Sequence, residues 1–201
     1  MKVYGDLKRQ MEDLTTGLGS LGIDAELSES RQSEQDIGSG GIFKKNRSLG
    51  LINIAKGLIR WINLREASEG QGPDGLHVLY SYYMDYGVRN DTGARLPNTT
   101  IVSVRKKRFL IFGAVVATHW RGSFALGRDI ANRLNAEPSM ILPMIWDDDF
   151  EITSYPEHES WILSAKEWKV PSRLQWDAYQ ALAETLLSAT QSHRDTERQP
   201  F

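Results

Sequence analysis

The sequence predicts an α+β fold: one compact domain over residues 44–192, a mixed sheet packed by about three helices, lies between a mobile arm at 1–43 and a frayed tail at 193–201. Helix-period and strand-period apolar patterns are interleaved without the strict β-α-β-α rhythm of a doubly wound sheet. Apolar residues fill 40% of the 201 positions, enough for a core in a chain that hides about 70% of its unfolded surface. Near residue 43 the composition changes from polar, glycine- and serine-rich to apolar and aromatic.

Residues 1–43 carry Tyr4 and Phe43 as their aromatics, and Asp24, Glu26, Glu29, Glu34 and Asp36 face Arg31. So little apolar surface does not offset ordering entropy. The reading is an acidic arm with a short helix over Lys2–Leu14 and a hinge at Gly38-Ser39-Gly40-Gly41. From Lys44 to Arg65 the residues Leu51, Ile52, Ile54, Ala55, Leu58, Ile59 and Ile62 share one side of a 3.6-residue wheel, and Asn53, Lys56, Arg60 and Asn63 the other. That periodicity predicts an amphipathic helix, ended by the glycines and Pro73 within 67–75.

A strand over His77–Met84 and a turn-rich loop over 85–98 follow. Ile101–Val104 and Phe109–Thr118 flank Arg105-Lys106-Lys107-Arg108, as a hairpin with a basic tip or as one long strand. Ser123 is expected to cap a helix whose inner face is Phe124, Ile130, Ala131 and Leu134. Met140–Trp146 reads as a short apolar strand, Asp147–Glu159 as an acidic loop and Trp161–Val170 as a further strand. Ser172 with Gln175 forms a capping box that opens a helix through Tyr179, Leu182, Leu186 and Ala189.

The absence of cysteine removes disulfides, Cys-ligated zinc, iron–sulfur clusters and thiol nucleophiles. No apolar h-region follows Met1-Lys2, and the longest uninterrupted apolar or glycine run, Phe109–Ala117, is nine residues. The expectation is therefore an intracellular protein, not secreted, with no transmembrane segment. Gly17-x-Gly19-x-x-Gly22 spells a dinucleotide fingerprint but lacks the strand before and the helix start after it that the chemistry needs. The four histidines stand far apart, so no cofactor and no metal site is expected from them.

Asp147-Asp148-Asp149, then Glu167-Trp168-Lys169, then Gln175 and Tyr179 resemble the Asp, Glu-x-Lys, Gln-x-x-x-Tyr pattern of the PD-(D/E)xK nucleases. That resemblance implies Mg²⁺ held by Asp149 and Glu167, with Lys169 orienting the attacking water and Gln175 on the adjoining helix. A solvated acidic loop is the simpler reading of Asp147–Glu159.

Charge is the stronger signal. Lys44, Lys45, Arg47, Lys56, Arg60 and Arg65 occur with no acidic residue among them, and Arg105, Lys106, Lys107, Arg108, Arg121, Arg128 and Arg133 face Asp129. The formal net charge of −2 thus hides two basic stretches, candidates for binding an anionic membrane surface or nucleic acid. Tyr80, Tyr82 and Tyr83 add rings that could stack on bases. Pro143-Met144-Ile145-Trp146-Asp147 and the basic-then-apolar run Arg105–Phe112 resemble strings of rhabdovirus matrix proteins. The arm differs from that family's in being acidic rather than lysine-rich. The resemblance implies a non-enzymatic, virion-associated assembly protein that binds membrane and nucleocapsid and self-associates as a homo-oligomer. The expected function is accordingly a non-enzymatic interaction protein, with a Mg²⁺-dependent nuclease or a small protein-binding inhibitor module as alternatives.

Overall fold

The computed structural model describes residues 2–28, 46–71, 78–109, 112–137, 150–166 and 168–197. Three α-helices are present among them: α1 (Lys2–Ser20), α2 (Phe124–Ala136) and α3 (Arg173–Glu197). The strands are β1 (Ala25–Leu27), β2 (Asn46–Ile54), β3 (Ile59–Gln71), β4 (Val78–Arg89), β5 (Thr100–Phe109), β6 (Phe112–Gly122), β7 (Glu151–Tyr155) and β8 (Ser160–Ala165). They form one sheet in the order β1-β2-β3-β4-β8-β7-β5-β6, with every neighbouring pair antiparallel. The class is α+β, as expected, but the sheet is antiparallel rather than mixed. Hairpins explain this: β2 with β3, β3 with β4, β5 with β6 and β7 with β8 follow one another too closely for the dozen or so residues a parallel crossover needs.

The core is organised by cross-strand partners. Ile52, Ile62, Tyr86, Leu163, Ile152 and Ile101 stand side by side across β2, β3, β4, β8, β7 and β5, each at most 2% exposed. All three helices bury apolar residues in the same cluster, among them Leu14 and Leu18 of α1, Ile130 and Leu134 of α2, and Leu182 and Leu186 of α3. Aromatic rings complete it: Tyr179 lies 4.7 Å from Tyr86 and 5.5 Å from Phe150, and Trp120 lies 5.9 Å from Phe150. The indole of Trp161 donates to Thr190 Oγ1 at 3.2 Å, so this polar edge is satisfied within the core.

The expected amphipathic helix over 44–65 is overturned, because its described residues are β2, a turn and the first half of β3. Its apolar residues satisfy two periods at once. Ile52 and Ile54 alternate along β2, Gly57 at φ +106° turns the chain, and a bulge between Ile59 and Trp61 resets the register before Ile62 and Leu64. Four β-branched isoleucines, Ile52 and Ile62 paired on both sides and Ile54 and Ile59 on one, favour strand over helix. Of its six cations the four described, Arg47, Lys56, Arg60 and Arg65, consequently spread along a hairpin instead of sharing a helix face.

The arm is corrected over its first part. Residue pattern had suggested a helix to Leu14, but α1 continues to Ser20, packs Met11, Leu14 and Leu18 into the core, and is followed by β1 paired with β2. Of the fingerprint glycines, Gly17 and Gly19 lie within this helix and Gly22 ends it. Gly22 at φ +76° donates to Gly19 O at 2.9 Å and Ile23 donates to Leu18 O at 3.1 Å, a Schellman closure with Leu18 and Ile23 both buried. Residues 29–43, including the hinge, lie outside the described residues.

Smaller corrections share one cause, the pull of partner strands on marginal segments. β3 runs through Gln71 and β4 through Arg89, where loops had been expected, and the supposed acidic loop contains β7. The hairpin form of 101–118 holds, with Arg105–Arg108 inside β5 rather than at a tip. Ser123 stands at the N-cap of α2, as expected, but makes no side-chain cap bond; its hydroxyl instead accepts from Thr100 N–H at 2.9 Å, and Phe124 is 66% exposed rather than on the inner face. The capping box of α3 is present, Ser172 N–H donating to Gln175 Oε1 at 2.8 Å and Gln175 N–H to Ser172 Oγ at 3.2 Å. Met140–Trp146 lies outside the described residues.

Docking of α1 predicts that Leu18→Ala lowers unfolding free energy by about 2–5 kcal/mol in urea melts, where a mobile arm would give no change.

Candidate functional site

The alternate residues of the same strands point away from the helices, and their chemistry is different. Leu51, Asn63, Asp85, Ser164, Glu151, Val102 and Arg121 are successive cross-strand neighbours on this second face. At its centre Arg65 grips Asp85 with two bonds, Nε to Oδ2 at 2.6 Å and an Nη to Oδ1 at 3.0 Å, and Ser164 Oγ donates to Oδ1 at 2.8 Å. The guanidinium lies 4.4 Å over the Tyr83 ring. Burial works against the Arg65 charge, but the Asp85 carboxylate outweighs it and holds the guanidinium above its ordinary pKa. Beside the pair, Ser48 Oγ donates to Asn63 Oδ1 at 2.6 Å, and Asn63 Nδ2 is buried with no hydrogen-bond partner among the described residues.

At the end of this face nearest the β7–β8 turn, Arg60, Trp61, Arg89, Asp91, Tyr155, His158, Ser160 and Ile162 line a bowl of about 670 Å³. Its floor depends on Gly87, which faces Trp61 across the β3–β4 ladder; a Cβ there would meet Trp61 Cε2 at 1.9 Å. The indole therefore lies flat on backbone. The register shift between Ile59 and Trp61 places Arg60 at a bulge, exposed. Arg89 pairs with Asp91 at 3.0 Å on the rim. On the other wall the Tyr155 and His158 rings stack, 5.5 Å apart and 18° from parallel. The turn carrying them is fixed by its backbone: Ser160 Oγ donates to His158 O at 2.8 Å, Asn90 N–H donates to Glu159 O at 2.7 Å, and Glu159 adopts φ +46°. Two arginines, one carboxylate, a hydroxyl and three aromatic rings thus converge on one concave site.

Of the residues expected to bind anions, Arg60 reaches this bowl, and Lys56 is exposed in the adjoining β2–β3 turn. Arg47 is neutralised by Glu66 at 3.3 Å, and Arg65 is spent on Asp85. Arg105, Lys106, Lys107 and Arg108 belong to β5, whose register carries them toward the opposite end of the sheet, and Lys44 and Lys45 lie outside the described residues. Tyr80 and Tyr82 are exposed at that opposite end. Partial desolvation, and then the hydrogen-bonded Glu66 carboxylate, raise the Tyr82 phenol above its ordinary pKa.

The nuclease-like residues that are described, Lys169, Gln175 and Tyr179, do not lie on a strand. β8 ends at Ala165, and the chain leaves the sheet to seat Trp168, whose Nε1 donates to Tyr83 O at 3.2 Å, and Val170, which packs against Gly17. Lys169 is exposed beyond that strand, and Asp149 and Glu167 lie outside the described residues. Gln175 is occupied in its capping box and Tyr179 in the core. Among the described residues no group of three or more His, Asp or Glu side chains is placed to hold a metal ion, and no helix is long and apolar enough to cross a membrane.

Comparison with protein families, with curated proteins and with solved structures finds no match to this chain.

The buried pair makes a sharp energetic prediction. Asp85→Ala strands the Arg65 charge and should cost about 3–5 kcal/mol in equilibrium unfolding, whereas Arg65→Met with Asp85→Leu should cost less than Asp85→Ala by itself. Additive losses would contradict it.

Proposed function

We propose that this protein is a non-enzymatic interaction protein that grips a phosphate-bearing polymer, single-stranded nucleic acid, at the bowl beside the β7–β8 turn. One observation carries the reading: Arg60, Arg89, Trp61, Tyr155 and His158 line a single concavity. Arginine forks neutralise phosphate and aromatic faces stack on bases, a combination that binds single strands with little sequence preference. An anionic membrane is less well served there. The large apolar residues exposed among the described residues, Tyr80, Tyr82, Val102, Phe124 and Leu174, do not line the bowl. Assembly through self-association, which the matrix-like strings imply, belongs to the same proposal, with exposed Asp24 and Glu26 as acidic counterparts of the bowl.

Fluorescence anisotropy with a labelled single-stranded oligonucleotide tests this. Binding should weaken with salt, by a slope of about −0.7 per phosphate contacted, and Arg60→Glu should cut affinity by about tenfold and flatten that slope by about one contact. Binding to anionic vesicles without binding to the oligonucleotide would overturn the reading.

A further inference from the structure

We infer that the bowl recognises one complete nucleoside 5′-monophosphate, free or at the end of a strand. This deepens the reading above and takes from it that the bowl is where phosphate binds. Its lining offers each of the three chemistries such a unit presents. Trp61, held on Gly87, together with Ile162 and the Tyr155–His158 stack, supplies flat faces for a base. Arg60, which no hydrogen bond or ion pair ties down among the described residues, and Arg89 supply guanidinium forks for phosphate oxygens. Asp91 turns one oxygen to Arg89 at 3.0 Å and offers its second carboxylate oxygen as an acceptor for ribose hydroxyls.

Size and charge point the same way. The volume of about 670 Å³ falls inside the range of roughly 300–1,000 Å³ typical of small-ligand sites. Phosphate without a base would leave the aromatic walls idle, and a run of backbone phosphates would meet the carboxylate of Asp91. A terminal monophosphate with its base and sugar uses every group. Arg60 sits at a bulge rather than in a regular ladder position, which aims its side chain at the cavity instead of along the face.

The experiment titrates the intact protein with adenosine 5′-monophosphate, uridine 5′-monophosphate, adenosine and inorganic phosphate, reading tryptophan fluorescence and calorimetric heat, and compares 5′-phosphorylated with 5′-hydroxyl oligonucleotides. The inference expects the monophosphates to bind at least about tenfold more tightly than adenosine or phosphate, and the 5′-phosphorylated strand to exceed the 5′-hydroxyl strand by a similar factor. Arg60→Gln and His158→Ala, both at exposed positions, should abolish the monophosphate signal without shifting the thermal melt. Equal binding of the two oligonucleotides with no competition by monophosphates would overturn the inference while leaving nucleic-acid binding intact. Monophosphate binding with no oligonucleotide binding would uphold the inference and overturn the polymer reading.

Discussion

The row Ile52, Ile62, Tyr86, Leu163, Ile152 and Ile101 is the constraint on which the remaining structure depends. Because side chains alternate along each strand, fixing these six toward the helices fixes their neighbours toward the other face. A slip of one residue in β3 would turn Asn63 into the core and Ile62 out of it, and a slip in β4 would exchange Asp85 and Tyr86 in the same way. Register is therefore specified by burial. The β7–β8 hairpin follows the same rule when it inserts between β4 and β5, bringing Leu163 and Ile152 into the row and, of necessity, Ser164 and Glu151 to the other side.

That second face carries what the core cannot hold. Its centre is closed by a bidentate ion pair, Arg65 with Asp85, reinforced by Ser164 and stacked on Tyr83. Breaking one partner of such a pair costs more than replacing both by apolar residues. At the end, where the strands stop and the β7–β8 turn folds over, cations and rings remain at a concave surface. Gly87 is the link between the two regions, since the indole of Trp61 occupies the space a side chain there would take.

Much of the architecture was legible in the sequence, but unevenly. The capping box of α3 could be read from Ser172 and Gln175, since the interaction is local. The hairpin at 101–118 was one of two forms the sequence left open, and its basic run lies inside β5 rather than at the tip. Residues 46–65 misled because Ile52, Ile54, Ile59 and Ile62 fit a helical wheel as well as two strands, and the partners that decide between them, β1 and β4, lie elsewhere in the chain. Helix α1 was underestimated for a related reason: Met11, Leu14 and Leu18 are few, and their worth comes from packing on Ile52 and its neighbours. The bowl was not legible at all. Its lining spans Arg60 to Ile162, and only folding joins Arg60 to Arg89 and to the Tyr155–His158 turn.

The central claim is that ligand chemistry is concentrated at this one end of the second face rather than in the linear basic runs. Ultraviolet cross-linking of a bound single-stranded oligonucleotide, with peptide mapping of the adducts, tests it most directly. Adducts at Trp61 and Tyr155 are the expected result. Adducts confined to Tyr80, Tyr82 or the β5–β6 hairpin, at the opposite end of the sheet, would contradict it.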